Sequence, residues 1–203
     1  VFSGIEIDWS THRRAAVGSD NFQLTWANDN NLYGAWGDGG GFSGSNSKGR
    51  VGLGVARVEG DAADFKGQNV WGGYQAENQA TFNGKSWGML AVDTTFYMWV
   101  VPDVPTGKQH RNHYEYTQLG KSTDRGASWR LLTWKFHQRE QLTIPTFLNA
   151  GRGYQHPPFG PYVYAYFIRP SDPTMEHQGP NGVGLVTHAP GVIYLGRAPM
   201  EHI

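Results

Sequence analysis

The sequence lacks cysteine and is poor in charge. Without cysteine, the chain can form neither disulfide bonds nor thiolate metal sites. Charged residues make up only 17% of the 203 residues, and the formal net charge is zero. No basic stripe is present, so nothing predicts binding to nucleic acid. No apolar run approaches the roughly 20 residues of a membrane-crossing helix, so we expect no membrane span.

Glycine and aromatic residues, by contrast, are abundant. The chain has 28 Gly, 8 Trp, 10 Tyr and 10 Phe. No stretch of about ten or more residues follows the 3.6-residue period of an amphipathic helix. Many short strands joined by tight turns account for this composition better than a helix bundle does. We therefore predict an all-β fold, in a chain long enough for one sizeable domain or for part of a larger one.

The N-terminal stretch 2–9 alternates apolar and polar residues and predicts a strand. The first residue is Val rather than Met, as in a processed secreted protein or in a trimmed chain. On this ground we expect a secreted or periplasmic location.

The stretch 19–41 predicts a β-hairpin with an acid at each side of its open end. A cluster of Asn and Asp residues, which favour tight turns, separates two short apolar runs. Centring the turn in the middle of that cluster places Asp20 opposite Gly39, one residue from Asp38. We therefore expect Asp20 and Asp38 to be close neighbours.

The order of this hairpin and the strand after it recurs along the chain. Similar apolar strands lie at 32–36, 96–100 and 163–167. Each precedes a long polar loop and then a strand that carries Leu-Gly. Such a unit of about four strands is typical of the blades of a β-propeller. We place the repeats at 18–73, 84–137 and 143–203, within a single propeller domain.

Three blades are too few to close a ring, since propellers usually need about four or more. We therefore expect the chain to be the N-terminal part of a longer propeller. The alternative is an open assembly that another chain completes.

The second repeat contains the most distinctive motif. The segment 122–129 matches the Asp-box pattern Ser-x-Asp-x-Gly-x-x-Trp. In this pattern the Asp caps backbone N–H groups of a tight turn, and the Trp packs beneath it. The motif marks the fold of sialidase-like and related propellers. Because it joins the third and fourth strands of a blade, we expect Asp124 on the side of the domain opposite to Asp20 and Asp38.

The run 18–60, with NVWGG (69–73), GKSWG (84–88), FYMWV (96–100), PTFL (145–148) and YVYAYFIR (162–169), resembles one protein family. It consists of secreted bacterial and fungal propellers long catalogued as a domain of unknown function. Some members are grouped as glycoside hydrolases that act on D-arabinan, the endo-D-arabinanases. The resemblance covers nearly the whole chain. It implies a five-bladed propeller, carbohydrate hydrolysis and catalytic acids at Asp20 and Asp38.

The chemistry of glycoside hydrolysis suits this pair of acids. One protonated carboxyl must protonate the leaving oxygen, while an ionised one activates water or attacks the sugar. Two neighbouring carboxyl groups can supply both forms. The alternative is that Asp20 and Asp38 only cap turns, since both lie in glycine-containing turn segments. Their sequence spacing leaves inverting and retaining mechanisms open.

Further candidates lie on segments that we expect at the same rim. The predicted substrate-binding residues are Asn21, Trp36, Arg50, Lys85, Arg111, His113 and Arg169. Trp36 and Trp26 could stack on a sugar ring or belong to the core, whereas we expect the other tryptophans to pack. Lys85 and Arg169 could bind the substrate or form surface ion pairs. We predict no cofactor and no metal site.

Three functions stay open, each with a polysaccharide or glycan as partner. The first is a glycoside hydrolase acting on an arabinan-like polysaccharide through Asp20 and Asp38. The second is a sialidase-type exo-glycosidase, suggested by the Asp-box, in which arginines 50, 111 and 169 would bind the substrate carboxylate. The third is a non-catalytic glycan-binding or scaffold propeller.

Overall fold

The computed structural model describes residues 2–42, 51–72, 80–102, 116–170 and 188–203. Within these residues the chain forms β-strands and short 3-10 helices, with no α-helix. The predicted all-β class is therefore confirmed. None of the helices in the described part is long and apolar enough to cross a membrane.

Eleven strands form three antiparallel sheets in the described part of the chain. The strands are β1 (Asp20–Trp26), β2 (Leu32–Gly37), β3 (Gly54–Glu59), β4 (Lys66–Gly72), β5 (Gly84–Val92), β6 (Thr95–Pro102), β7 (Tyr116–Ser122), β8 (Arg130–His137), β9 (Thr143–Phe147), β10 (Tyr162–Pro170) and β11 (His188–Pro199). The first sheet has the order β1-β2-β3-β4, the second β5-β6-β7-β8 and the third β11-β10-β9. The predicted four-stranded antiparallel sheets are thus present, while the closed propeller stays a prediction.

The first strands of the three sheets lie in a row: β1 contacts β5, and β5 contacts β9. The buried hydroxyl of Thr25, on β1, accepts a hydrogen bond from the N–H of Ala91 on β5 at 2.9 Å. The same hydroxyl donates to Asn149 Oδ1, just after β9, at 2.6 Å. One side chain therefore ties all three sheets together.

Strands β5 and β6 of the second sheet are buried on both faces. Side chains alternate across a strand, so Met89 and Met98 join the core shared with the first sheet, whereas Leu90 and Trp99 join the core shared with the third. This double burial explains why β5 and β6 contain nearly continuous apolar runs rather than the apolar–polar alternation of a half-exposed strand.

The predicted N-terminal strand is wrong. Residues 2–8 have no regular secondary structure, and a short 3-10 helix follows at Trp9–Thr11, where the N-cap Asp8 accepts a hydrogen bond from the N–H of Ser10. Ile5 is 90% exposed and Ile7 is 58% exposed. Alternation matches one face of a strand, but a strand also needs a hydrogen-bonded partner, and no described strand pairs with this segment.

The turn between β7 and β8 is built around Asp124. Its carboxylate accepts hydrogen bonds from the N–H of Ser128 at 2.9 Å and from the hydroxyl of Ser122 at 2.8 Å. Burial raises the pKa of Asp124, but the hydrogen bonds from Ser128 and Ser122 outweigh burial and hold it below its ordinary value. Trp129 is buried below the turn and donates its indole N–H to the carbonyl of Gly126 at 3.0 Å.

An ion pair joins this turn to the first sheet. Arg125 contacts the carboxylate of Asp29, which lies in the turn after β1 and also accepts a hydrogen bond from the Tyr33 hydroxyl at 2.8 Å. Asp29 follows the end of β1, whereas Asp20 begins it. The turn that contains Asp124 therefore lies away from Asp20, on the side that the repeat predicts.

We expect Asp29 to contribute to stability in a pH-dependent way. Burial raises its pKa, but hydrogen bonds from Tyr33 and Asn31 and the contact with Arg125 bring the pKa below the ordinary aspartate value. A carboxyl whose pKa is lowered on folding stabilises the protein above its unfolded-state pKa and loses that contribution as the pH falls through its folded-state pKa. The loss should therefore begin below about pH 4.

The variant Asp29→Asn should be less stable than the wild type by about 1–2 kcal/mol at pH 7 and should lose less stability on acidification. Urea denaturation between pH 2 and pH 7 measures both effects. The matched control is Glu6→Gln, which removes one carboxylate from the exposed N-terminal segment. Parallel stability curves for Asp29→Asn and the wild type would contradict the prediction.

Candidate functional site

A pocket opens where β1 begins and β2 ends. Its lining residues are Asp20, Asn21, Gly37, Asp38, Lys85 and Trp87. Four of the predicted site residues thus meet in one place: both acids, the amide and the lysine. Asp20 and Asn21 are exposed, while Asp38 and Lys85 are half-buried, so the pocket is open to a large ligand.

The two acids are brought together by a register that differs from the predicted one. Asp20 pairs with Gly37 rather than with Gly39. The pairing of β1 with β2 is regular from Trp26 to Gln23 and shifts between Gln23 and Asp20. The regular register would continue to place Asp20 opposite Asp38, and the shift moves Asp20 by one residue, to Gly37, which immediately precedes Asp38. The predicted pairing partner of Asp20 was therefore wrong. Asp20 and Asp38 nevertheless line the same pocket, as their expected proximity requires.

Asn21 holds the irregularity in place. Its φ is 58°, in the left-handed region that Asn tolerates better than most residues. Its side-chain amide donates a hydrogen bond to the carbonyl of Ser86, on β5, at 2.7 Å. Asn21 therefore anchors the start of β1 to the second sheet and positions Asp20.

Asp38 and Lys85 form an ion pair across the two sheets. Lys85 Nζ contacts Asp38 Oδ1, and the side chains are 25% and 37% exposed, respectively. Asp38 follows β2 with a φ of 56°, again in the left-handed region. A Cβ at Gly37 would lie 2.8 Å from the carbonyl oxygen of Gly52, so the close approach of these two backbone segments requires glycine at position 37. An ammonium group in contact with a carboxylate favours its ionised form.

The predicted stacking role of Trp36 is wrong. Trp36 is 1% exposed, and its ring packs so closely over Gly41 and Gly54 that a Cβ on either glycine would overlap it. Trp26 is 45% exposed, but it ends β1, far from the pocket, and donates its indole N–H to Asn30 Oδ1 at 3.1 Å. Neither ring therefore offers a face to a ligand in this pocket.

The other predicted binding residues do not line the pocket in the described part of the chain. Arg169 is half-buried near the end of β10, in the third sheet. Arg50, Arg111 and His113 lie outside the described residues. Of the three arginines proposed for a sialidase-type site, the structure therefore describes Arg169 alone. Across the described ranges, no group of three or more His, Asp or Glu residues could hold a metal ion.

Trp87 is a pocket residue that the sequence analysis assigned to packing. It is half-buried, and it is the extra residue of an irregularity in the pairing of β5 with β6, between Ser86 and Gly88. A signal was present in the sequence: residues two apart share a strand face, so a pocket role for Lys85 also favoured one for Trp87.

The fold and the pocket define an all-β protein of antiparallel sheets with two acids and a lysine at one open site. Comparison with known proteins adds no assignment, because no protein-family model matches the chain and no curated protein matches it.

Proposed function

We propose that the chain is part of a secreted or periplasmic β-propeller glycoside hydrolase that cleaves an arabinan-like polysaccharide. The observation that carries this proposal is that Asp20, Asp38 and Lys85 line the same pocket. Cleavage of a glycosidic bond needs two carboxyl groups near one point, and the open pocket leaves room for a polymer.

The arrangement of the sheets supports the propeller part of the proposal. Two four-stranded antiparallel sheets and a third sheet place their first strands side by side, as blades do around a central axis. The turn with Asp124 at its centre has the hydrogen bonds that an Asp-box would need. Further blades, or another chain, would complete the ring.

The resemblance to secreted propellers that include endo-D-arabinanases supports the choice of substrate. Their N-terminal motif corresponds here to the hairpin whose strands begin at Asp20 and end beside Asp38. The proposed polymer is thus one rich in furanose sugars.

The ion pair between Lys85 and Asp38 suggests which of the two acids acts as the proton donor. Contact with Lys85 favours the ionised form of Asp38, which suits a base or a nucleophile. Asp20 is then the acid that gives its proton to the leaving oxygen as the bond to the anomeric carbon breaks. Asp38 either takes a proton from the attacking water or forms the ester that water later cleaves.

The proposal is tested by product release from polysaccharides. The complete protein should release new reducing ends from D-arabinan and no fluorophore from a 4-methylumbelliferyl sialoside. Reducing-end assays and chromatography of the products measure the first, and fluorescence measures the second. Release from the sialoside alone would favour the sialidase alternative, and binding of glycans without any product would favour a non-catalytic propeller.

A further inference from the structure

We infer that Trp87 is the platform on which a neutral sugar ring stacks beside Asp20 and Asp38. This inference rests on the proposed function and assigns a binding residue to the same site. It names the ligand by its chemistry: a ring with an apolar C–H face and no charged substituent.

The composition of the pocket points to Trp87. Among the described lining residues it contributes the one aromatic ring, beside two carboxylates, an amide, an ammonium group and a glycine. Binding sites for small molecules combine apolar surface with a few polar groups that fix orientation. A tryptophan ring provides the largest such surface, and its electron-rich face attracts the slightly positive hydrogens of a sugar C–H face.

Trp87 lies outside the two core clusters of the described residues. Trp71, Trp99 and Trp129, by contrast, each belong to one of them. Trp87 is half-buried, so part of its ring is accessible to a ligand. The structure thus separates one tryptophan at the pocket from those that fill the space between sheets.

Two neighbouring strand irregularities shape this part of the pocket. One lies between Asp20 and Gln23 in β1, and the other between Ser86 and Gly88 in β5. They are tied together by the Ser86 hydroxyl, which lies 3.1 Å from Gln23 Oε1, and by the bond from Asn21 to the Ser86 carbonyl. Irregularities of this kind re-aim side chains beside functional sites.

The backbone of Trp87 is fixed by contacts with the adjacent strand β9. Its carbonyl accepts a hydrogen bond from the hydroxyl of Thr146, on β9, at 2.9 Å. A Cβ at Gly88 would lie 3.1 Å from the backbone nitrogen of Phe147, so β5 and β9 touch there directly. A ring on a backbone fixed by a neighbouring sheet is pre-organised, and pre-organisation reduces the cost of binding.

The charges beside the ring favour a neutral ligand. Lys85 brings the one ammonium group among the described lining residues, and this group already contacts Asp38. A sugar carboxylate on Trp87 would have to compete with Asp38 for that ammonium group, which opposes its binding. Neutral furanose or pyranose rings meet no such competition.

The test compares Trp87→Ala and Trp87→Phe with the wild type in the complete protein. The probes are neutral arabino-, xylo- and galacto-oligosaccharides and one acidic sugar, galacturonate. Calorimetry measures binding, D-arabinan hydrolysis gives kcat and KM, and urea denaturation checks the fold. The control Trp9→Ala removes a 71% exposed indole from the N-terminal segment.

We expect Trp87→Ala to weaken binding of the neutral oligosaccharide that the wild type prefers by about ten-fold and to raise KM more than it lowers kcat. Trp87→Phe, which keeps a ring, should recover most of the affinity. Trp9→Ala should bind as the wild type does. Galacturonate should bind more weakly than any neutral ligand that the wild type accepts.

Failure of the platform and failure of the proposed function give different experimental results. Hydrolysis that keeps the wild-type KM in folded Trp87→Ala, or in Trp87→Leu if the alanine variant does not fold, would overturn the platform and leave the proposed function standing. Binding that depends on Trp87 without any hydrolysis would overturn the proposed function and leave the platform standing. Absence of binding by every neutral probe, or preference for galacturonate, would also overturn the inference.

Discussion

Replacement of Asp38 by Asn is expected to lower polysaccharide hydrolysis by a factor of about 10²–10⁴, the contribution typical of an acid or base that takes part in the transition state. Asn has the size of Asp and tolerates the left-handed φ of 56° at this position. The substitution removes the negative charge that Lys85 contacts. It therefore keeps the size and the backbone conformation of the residue and removes its charge.

The experiment compares kcat on D-arabinan for the wild type, Asp38→Asn and Asp20→Asn. Both variants should lose activity, because the acid and the base act in one bond cleavage. The control Asp61→Asn changes an exposed aspartate in the turn after β3, where its carboxylate accepts a hydrogen bond from the N–H of Ala63 at 2.8 Å. Undiminished turnover by folded Asp38→Asn would refute the assignment of the pair.

Replacement of Trp36 by Ala is expected to destabilise the fold by about 3–5 kcal/mol, the usual cost of removing a large aromatic side chain from a core. Trp36 is 1% exposed and fills the space over Gly41 and Gly54. Small residues at these two positions make room for the ring, so its removal leaves a cavity that they cannot fill. This loss is a large part of the stability of a typical domain.

Urea denaturation of the two tryptophan variants of the hairpin measures the effect. Trp26→Ala is the matched control, because Trp26 lies on the adjacent strand and is 45% exposed. The control should change stability by about 1 kcal/mol or less. Equal stability of Trp36→Ala and the wild type would show that the ring does not support the core.

The hairpin shows how far local sequence rules reach. Turn-forming residues and two short apolar runs predicted β1 and β2, and with them the approach of Asp20 to Asp38. The same rules assigned Asp20 the wrong partner, because the observed register differs by one residue from the turn onwards, with Trp26 opposite Leu32, and a bulge shifts it once more before Asp20. The neighbouring sheet stabilises this bulge, because the Ser86 carbonyl on β5 accepts a hydrogen bond from the side-chain amide of Asn21.

Alternation along a strand is informative where a partner strand exists. In β5 the sequence shows no apolar–polar alternation, so it did not predict the two cores. The alternation of side-chain direction nevertheless explains why Met89 and Leu90 belong to different core clusters. In the N-terminal segment apolar–polar alternation suggested a strand, although Ile5 is 90% exposed and no described strand pairs there. The pattern identifies a face, whereas the partner decides whether the strand forms.

By itself the sequence determined the all-β class, the hairpin and its two neighbouring acids. These features depend on turn chemistry and a two-residue period, which act over a few residues. Only the tertiary structure decided that Lys85 contacts Asp38, that Trp36 is buried and that Trp87 lines the pocket. Those outcomes depend on how one sheet packs against the next, and that packing brings together residues far apart in the chain.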